Sequence, residues 1–432
     1  MTTTGDASVT ATTAAPASGL ARSFGLSVSS YLLVPFTALL SGPLLAHALG
    51  PTGRGELAGV LAPLALANIM ATFGLQEAAT YFVARGEHDS DRIAGLAVGL
   101  SVLTGAVAAA VLWALAPLLL RNAPDMVDTL RLLSLTLPLT IGFAGVRGVV
   151  AGTQQFGRVS MERAGGSLGR LLVLGIAALT IGLTSVDAAT ISVVVPAVAS
   201  LVLVGPALVR SGGRAVLRLR RFLGYSVHAA AGTIGGILVL QLDQALMAPL
   251  SSVEQLGFYA VAASLAGLPA AAVQGVRDVV FSYSSVTSDP ELVARSTRVT
   301  VALCVPVVVA GAVLCEPLVP LLFGSDFRPA VLMAQVLLLA ALPNTVSAVV
   351  GAGLMSVGRP RVRSAILVGG AALTVALIVV LVPRYGGEGA AAASLLTYTF
   401  IAVLSVVVFS RITGVPVRDC VLLRRGDLSR RA

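Results

Sequence analysis

The chain has no lysine: all 29 of its basic residues are arginine. That absence excludes a good deal of chemistry. A Walker A loop needs a lysine on the β/γ-phosphates. A protein kinase needs its strand lysine, and a Schiff-base enzyme needs a lysine amine. Arg, Ala and Gly share GC-rich codons, so genomic bias accounts for the lack without weakening these exclusions. Cysteine and histidine are scarce too, at three each. Cys304, Cys315 and Cys420 form no CxxC pair, and His47, His88 and His228 are far apart. The pattern offers no structural metal site, no disulfide framework and no catalytic site, and no cofactor is expected. Charge is also sparse, at 11% of 432 residues, against about 25% in a soluble domain.

What is there is apolar. Hydrophobic residues make up 56% of the chain, and the mean hydropathy is +0.93. A helix needs about 20 apolar residues to cross roughly 30 Å of hydrocarbon. Twelve such runs are expected, at 25–48, 57–83, 93–120, 129–153, 164–184, 188–209, 223–248, 256–283, 296–323, 329–355, 363–383 and 389–411. They are continuous, unlike the alternating strands of a membrane barrel, so the expected fold class is an all-α polytopic membrane protein. Residues 1–22 read as a flexible tail rich in Thr, Ala and Ser, and 413–432 as a basic tail. The first apolar run lacks the basic start of a signal peptide and is expected to stay as an uncleaved span.

The arginines set orientation. With the N-terminus inside, 22 fall in the tails, the inner gaps or the span ends beside them, five on the outer side likewise, and Arg147 and Arg277 remain deeper within spans. Positive charge stays on the cytoplasmic side, which places both termini in the cytoplasm. It also accounts for most of the +9 net charge without a nucleic-acid partner.

A shift of about 201 residues superimposes several landmarks. Gly74-Leu75-Gln76-Glu77 falls on Gly275-Val276-Arg277-Asp278. Gly152, Gly157 and Arg158 fall on Gly353, Gly358 and Arg359, and Gly55 falls on Gly257 at a shift of 202. The chain therefore divides into six-span halves at 23–209 and 223–412, joined by an Arg-rich linker at 210–222. Six is even, so both halves enter the membrane the same way round. Two parallel repeats of this kind suit rocking around a shared cavity.

Ionisable groups inside spans cost at least about 2.5–3.5 kcal/mol each and point to function. On the second span, Asn68, Thr72, Gln76 and Thr80 recur every four residues with Glu77 beside them. Such a stripe lines a cavity or bonds neighbouring helices. Gln274, Arg277 and Asp278 form the matching group on the eighth span, either in the cavity or snorkelling to the inner surface. Arg147 lies about three turns from Arg158, too deep to snorkel. A fixed guanidinium there suits a phosphate or carboxylate, or a salt bridge to Glu77 or Asp278. Asp243 on the seventh span either carries a coupling proton or Na⁺ or is buried in hydrogen bonds.

Three stretches carry a resemblance. They are LGPTGRGELAGVLAPLALANIMATFGLQEAATYFVAR (49–85), QLDQALMAPLSSVEQLGFYAVAASLAGLP (241–269) and VGAGLMSVGRPRVRSAILVGGAALTVALIVVLVPRYGGEGAAAAS (350–394). The chain, over roughly 20–412, resembles the polysaccharide flippases of the multidrug/oligosaccharidyl-lipid/polysaccharide exporter superfamily. The resemblance implies a MATE-like pair of six-helix bundles in a bacterial plasma membrane. It implies flipping of a polyprenyl-pyrophosphate-linked oligosaccharide by alternating access. Arg22, Arg147 and Arg277 would contact the anionic head group. Its partners would be membrane lipid and the lipid-linked glycan, with a polysaccharide polymerase or glycosyltransferases beside it. The competing readings are a lipid II flippase and a cation-coupled multidrug antiporter of the same superfamily.

Overall fold

A computed structural model describes residues 17–85, 90–180, 182–207, 219–287 and 289–421. Among these there are helices and turns and no strand. The long helices form twelve rods. α1 (Ala17–Thr72) holds the first span and most of the second, folded at Gly50 (φ 65°, ψ −177°). Glycine adopts that positive φ without steric cost, so a single residue makes the hairpin. α2 (Leu75–Ala84) completes the second span after a break at Phe73 and Gly74, both at positive φ. α3 (Ser90–Leu119) is the third span. α4 (Val127–Ser134) and α5 (Leu137–Gly152) together make the fourth, bent by 43°. α6 (Phe156–Thr180) and α7 (Ser185–Leu203) close the first half.

The second half runs through α8 (Leu219–Leu250), α9 (Val253–Thr287), α10 (Pro290–Phe323) and α11 (Ala330–Ser356). α12 (Pro360–Thr413) holds the eleventh and twelfth spans, folded at Gly386 (φ 55°, ψ −131°). A short α13 (Val417–Val421) follows. It lies within the expected basic tail and is anchored by buried Arg298, whose guanidinium donates to the Asp419 carbonyl.

Six helical segments among the described residues are long and apolar enough to cross a membrane on their own, and the bent α4–α5 pair adds a seventh. Two of the six, Phe36–Ala84 and Pro360–Thr413, contain a hairpin and hold two spans each. α6, α8 and α9 complete the twelve. The protein is thus a multi-pass all-α membrane protein built from two six-helix bundles, the fold class expected from the sequence. The expected linker at 210–222 falls mostly outside the described residues.

Two boundaries were placed differently by hydropathy. The fifth span begins at Phe156 and not near 164. Arg158, Glu162 and Arg163 suit a helix well, but their charge ended the apolar run early. The short gap between the expected fifth and sixth spans, 164–184 and 188–209, resolves into a helix start at Ser185. The Thr184 side chain accepts from the Asp187 N–H, and the Asp187 carboxylate takes the Thr184 N–H in return. That reciprocal capping box begins α7.

Each half builds a core, and the second half's core also takes in Ala46 and Ala58 of the first. Leu57, Leu120, Leu130, Ile141 and Leu174 meet in the first, and Tyr259, Phe323, Phe327, Met333 and Ile378 in the second. Leu172, Ile176, Leu179, Val313 and Leu321 point outward, which suits a lipid surface on these spans. The halves meet at both ends. Toward the termini, Ser226 donates to the Phe73 carbonyl, and Tyr81 stacks on Tyr225 at 4.2 Å. At the other end, Asn122 Nδ2 donates to the Ser251 carbonyl at 2.8 Å.

Candidate functional site

The first half contains a pocket of about 320 Å³ between α1, α5, α6 and α7. Small residues make this geometry. Gly166 faces Pro196 of α7, where a Cβ would make ordinary contact at 3.4 Å, so the two helices pack closely across small residues. Gly148 and Gly152 seat α5 on α2, against the Gln76 carbonyl and Val83. That contact fixes the rotation of α5 and turns Arg147 into the pocket.

Charged side chains line it: Arg147, Glu162, Arg163 and Arg170, with Thr37, Ser167 and Ser200. Arg147 Nη1 donates to Glu162 Oε1 at 2.8 Å. Ser200 donates its hydroxyl to the same oxygen and also bonds the Pro196 carbonyl at 3.0 Å. Glu162 is only 4% exposed, yet its Oε2 has no partner among the described residues. Arg147 keeps a fifth of its side chain exposed. Arg170 Nη2 donates to Ser41 Oγ at 3.3 Å. Three guanidinium groups thus share the pocket with one carboxylate that still has an open acceptor. Guanidinium groups take phosphate or carboxylate oxygens, and a free carboxylate oxygen takes hydroxyl donors. The pocket can hold a ligand that is both anionic and rich in hydroxyls.

Glu162 was not foreseen as the partner of Arg147. The expected partners were Glu77 or Asp278. Glu162 fell two residues before the expected start of its span and read as loop. One signal was available. Glu162, Gly166 and Gly169 are spaced i, i+4, i+7, so the glutamate shares a face with glycines that pack against the neighbouring helix.

The other expected residues are dispersed. The stripe on the second span is cut in two: Asn68 and Thr72 lie on α1, and Gln76, Glu77 and Thr80 on α2. A break at Phe73–Gly74 rotates one half against the other, so four-residue spacing does not carry one face across it. Asn68 donates to Thr140 at 3.3 Å, and Thr80 to the carbonyls of Gln76 and Gly148, each at 2.9 Å. The bonds to Thr140 and to the Gly148 carbonyl join spans within the first half. Glu77 is partly buried, and its Oε2 has no partner among the described residues. Arg277 is partly buried in the second half, within electrostatic range of Arg363. Arg363 Nη1 donates to Ser347 at 3.3 Å and to Ser405 at 3.4 Å. The side chains of Arg22, Gln274 and Asp278 lie outside the described residues.

Asp243 is buried, at 4% exposure, between the seventh, eighth and twelfth spans. Tyr259 donates its hydroxyl to Oδ2, Ser394 donates to Oδ2 at 3.3 Å, and the Gln244 N–H donates to Oδ1 at 2.8 Å. Among the described residues no ion pair engages it.

Residues 44–332 match the family model described as "Polysaccharide biosynthesis protein". The chain belongs to that family. No curated protein matches it in sequence. Several solved structures do match in fold. "Lipid II flippase MurJ, inward closed conformation" has a TM-score of 0.75 at 11% identity, covering 91% of this chain and 89% of that one. An inward-facing multidrug resistance MATE family transporter of the MOP superfamily has a TM-score of 0.72 at 14% identity, covering 90% and 98%. An outward-facing structure described in the same words scores 0.58 at 14% identity, covering 90% and 96%. The fold is the one these flippase and transporter structures share.

Proposed function

We propose that this family member flips a polyprenyl-diphosphate-linked oligosaccharide across the bacterial plasma membrane by alternating access, with no chemical step of its own. The observation that carries the reading is the pocket of Arg147, Arg163 and Arg170 around the half-satisfied Glu162. A diphosphate calls for guanidinium donors, and a sugar supplies hydroxyls for the open Glu162 oxygen. A cation antiporter would gain nothing from three arginines in its pocket, because like charges repel the cargo. Arg277 and Arg22 are candidates for further contacts with the head group. The distribution of arginines supports a cytoplasmic location for both termini. Asp243 is the candidate for proton or Na⁺ coupling, because a buried carboxylate facing only neutral donors gains most from a proton or cation.

Purified full-length protein in vesicles, loaded on one leaflet with a fluorescent lipid-linked oligosaccharide, tests the reading. Translocation is expected for the diphosphate-linked glycan, and little for the same glycan on an uncharged lipid or for a cationic dye. Equal transport of the uncharged glycolipid, or transport of the dye alone, overturns it.

A further inference from the structure

The repeat places Gly55 and Gly257 at equivalent positions, four residues after Pro51 and Val253, where the second and eighth spans begin. In the folded protein these two positions face each other. A Cβ on Gly55 would lie 1.7 Å from the Val253 carbonyl oxygen, and one on Gly257 would lie 2.1 Å from the Pro51 carbonyl oxygen. The same Cβ on Gly257 would lie 3.0 Å from the Gly55 nitrogen. Under the 202-residue shift Pro51 corresponds to Val253, so the contact is reciprocal. Each half presents a glycine to the other half's carbonyl, as in a two-fold symmetric interface.

We propose that this crossing is the closure point of a gate on the face away from the termini, and that it can close only because both positions are glycine. The inference rests on the alternating-access reading above. The obstructing atoms are backbone oxygens, which cannot rotate aside as a side chain would. An alanine at either position forces the second and eighth spans apart by about 1 Å or more. The contacts that hold the crossing shut are suitably weak. A glycine Cα–H aimed at a carbonyl is a minor hydrogen bond, and it parts readily in each cycle. Asn122 completes the closure from the turn after the third span, reaching the carbonyl of Ser251 at 2.8 Å and that of Pro249 at 3.3 Å. Inward of the crossing, Gly42 of the first span lies beside Ser264 of the eighth and Phe323 of the ninth. The halves therefore stay in contact for more than a turn past the glycines.

The test uses full-length protein in which Cys304, Cys315 and Cys420 are replaced by alanine. Ser264→Cys, inward of the crossing, reports access from the far face to a membrane-impermeant maleimide. Gly55→Ala and Gly257→Ala are each expected to raise its labelling rate at least about tenfold, because they displace the closed state. The double variant should do no more than either alone. Separately, Asn122→Cys with Ser251→Cys ties the gate shut on oxidation. Translocation should stop and return with a reductant. Unchanged labelling in folded alanine variants overturns the proposal. So does continued transport by the oxidised pair, which also decides the matter if the alanine variants fail to fold. The labelling readout needs no substrate, so it stands or falls separately from the identity of the cargo.

Discussion

Replacing Arg147 by glutamine separates a structural arginine from one that binds cargo. Glu162 is 4% exposed and takes its charged hydrogen bond from Arg147 at 2.8 Å. Removing one partner of a fully buried pair costs about 3–5 kcal/mol. Arg147 is a fifth exposed, so solvent screening reduces this to about 2–3 kcal/mol. Arg147→Gln should therefore lower the unfolding midpoint in detergent clearly. Adding Glu162→Gln removes the stranded charge, and most of the lost stability should return, giving a coupling of about 2 kcal/mol in the double-mutant cycle. Transport should not return. A charge-assisted hydrogen bond to a phosphate is worth about 1.5–3 kcal/mol, so both variants should translocate roughly 10–100-fold more slowly. Vesicle translocation and thermal unfolding on the same preparations decide the matter. A double variant that is stable and transports at the parent rate would show that Arg147 serves only Glu162. A single variant as stable as the parent would refute the energetic premise.

Asp243→Asn keeps the hydrogen bonds from Tyr259 and Ser394 within reach and removes the charge. Transport should become insensitive to collapse of the proton or Na⁺ gradient, and a gradient dependence like the parent's would remove Asp243 from coupling. Gly148→Val drives a side chain to within 2.4 Å of the Gln76 carbonyl, so stability should fall by about 2 kcal/mol or more. Gly157→Ala meets nothing within 4 Å and should leave the unfolding midpoint unchanged. Cysteines at Arg384 and Arg359 should label from outside intact cells and only after permeabilisation, respectively. The reverse pattern would invert the topology.

The spans were legible because lipid imposes a one-dimensional rule. A helix must carry about 20 apolar residues whatever its neighbours do, so most of the rods from α3 to α12 match apolar runs to within about six residues, the start of α6 excepted. The misplaced start of the fifth span follows from the same rule: Glu162 is charged, so a hydropathy criterion reads it as loop. The break at Phe73–Gly74 was hidden because neither residue ends an apolar run. Phe73 takes its positive φ (42°) in a segment whose Gly74 packs against the Ser226 carbonyl and Ala230. Those partners are about 150 residues away in the chain.

The sequence alone determined the twelve spans, the two-fold repeat and the short roster of charges held inside. Each depends on composition along the chain, and the membrane reads composition directly. Only the tertiary structure decided that Arg147 meets Glu162 and not Glu77, and that Asp243 faces Tyr259 and Ser394. It also decided that Gly55 and Gly257 touch across the two halves. Those pairings depend on how each helix is rotated about its axis and slid along its neighbour. Close approach at glycines sets these, and a pattern of apolar residues does not specify them.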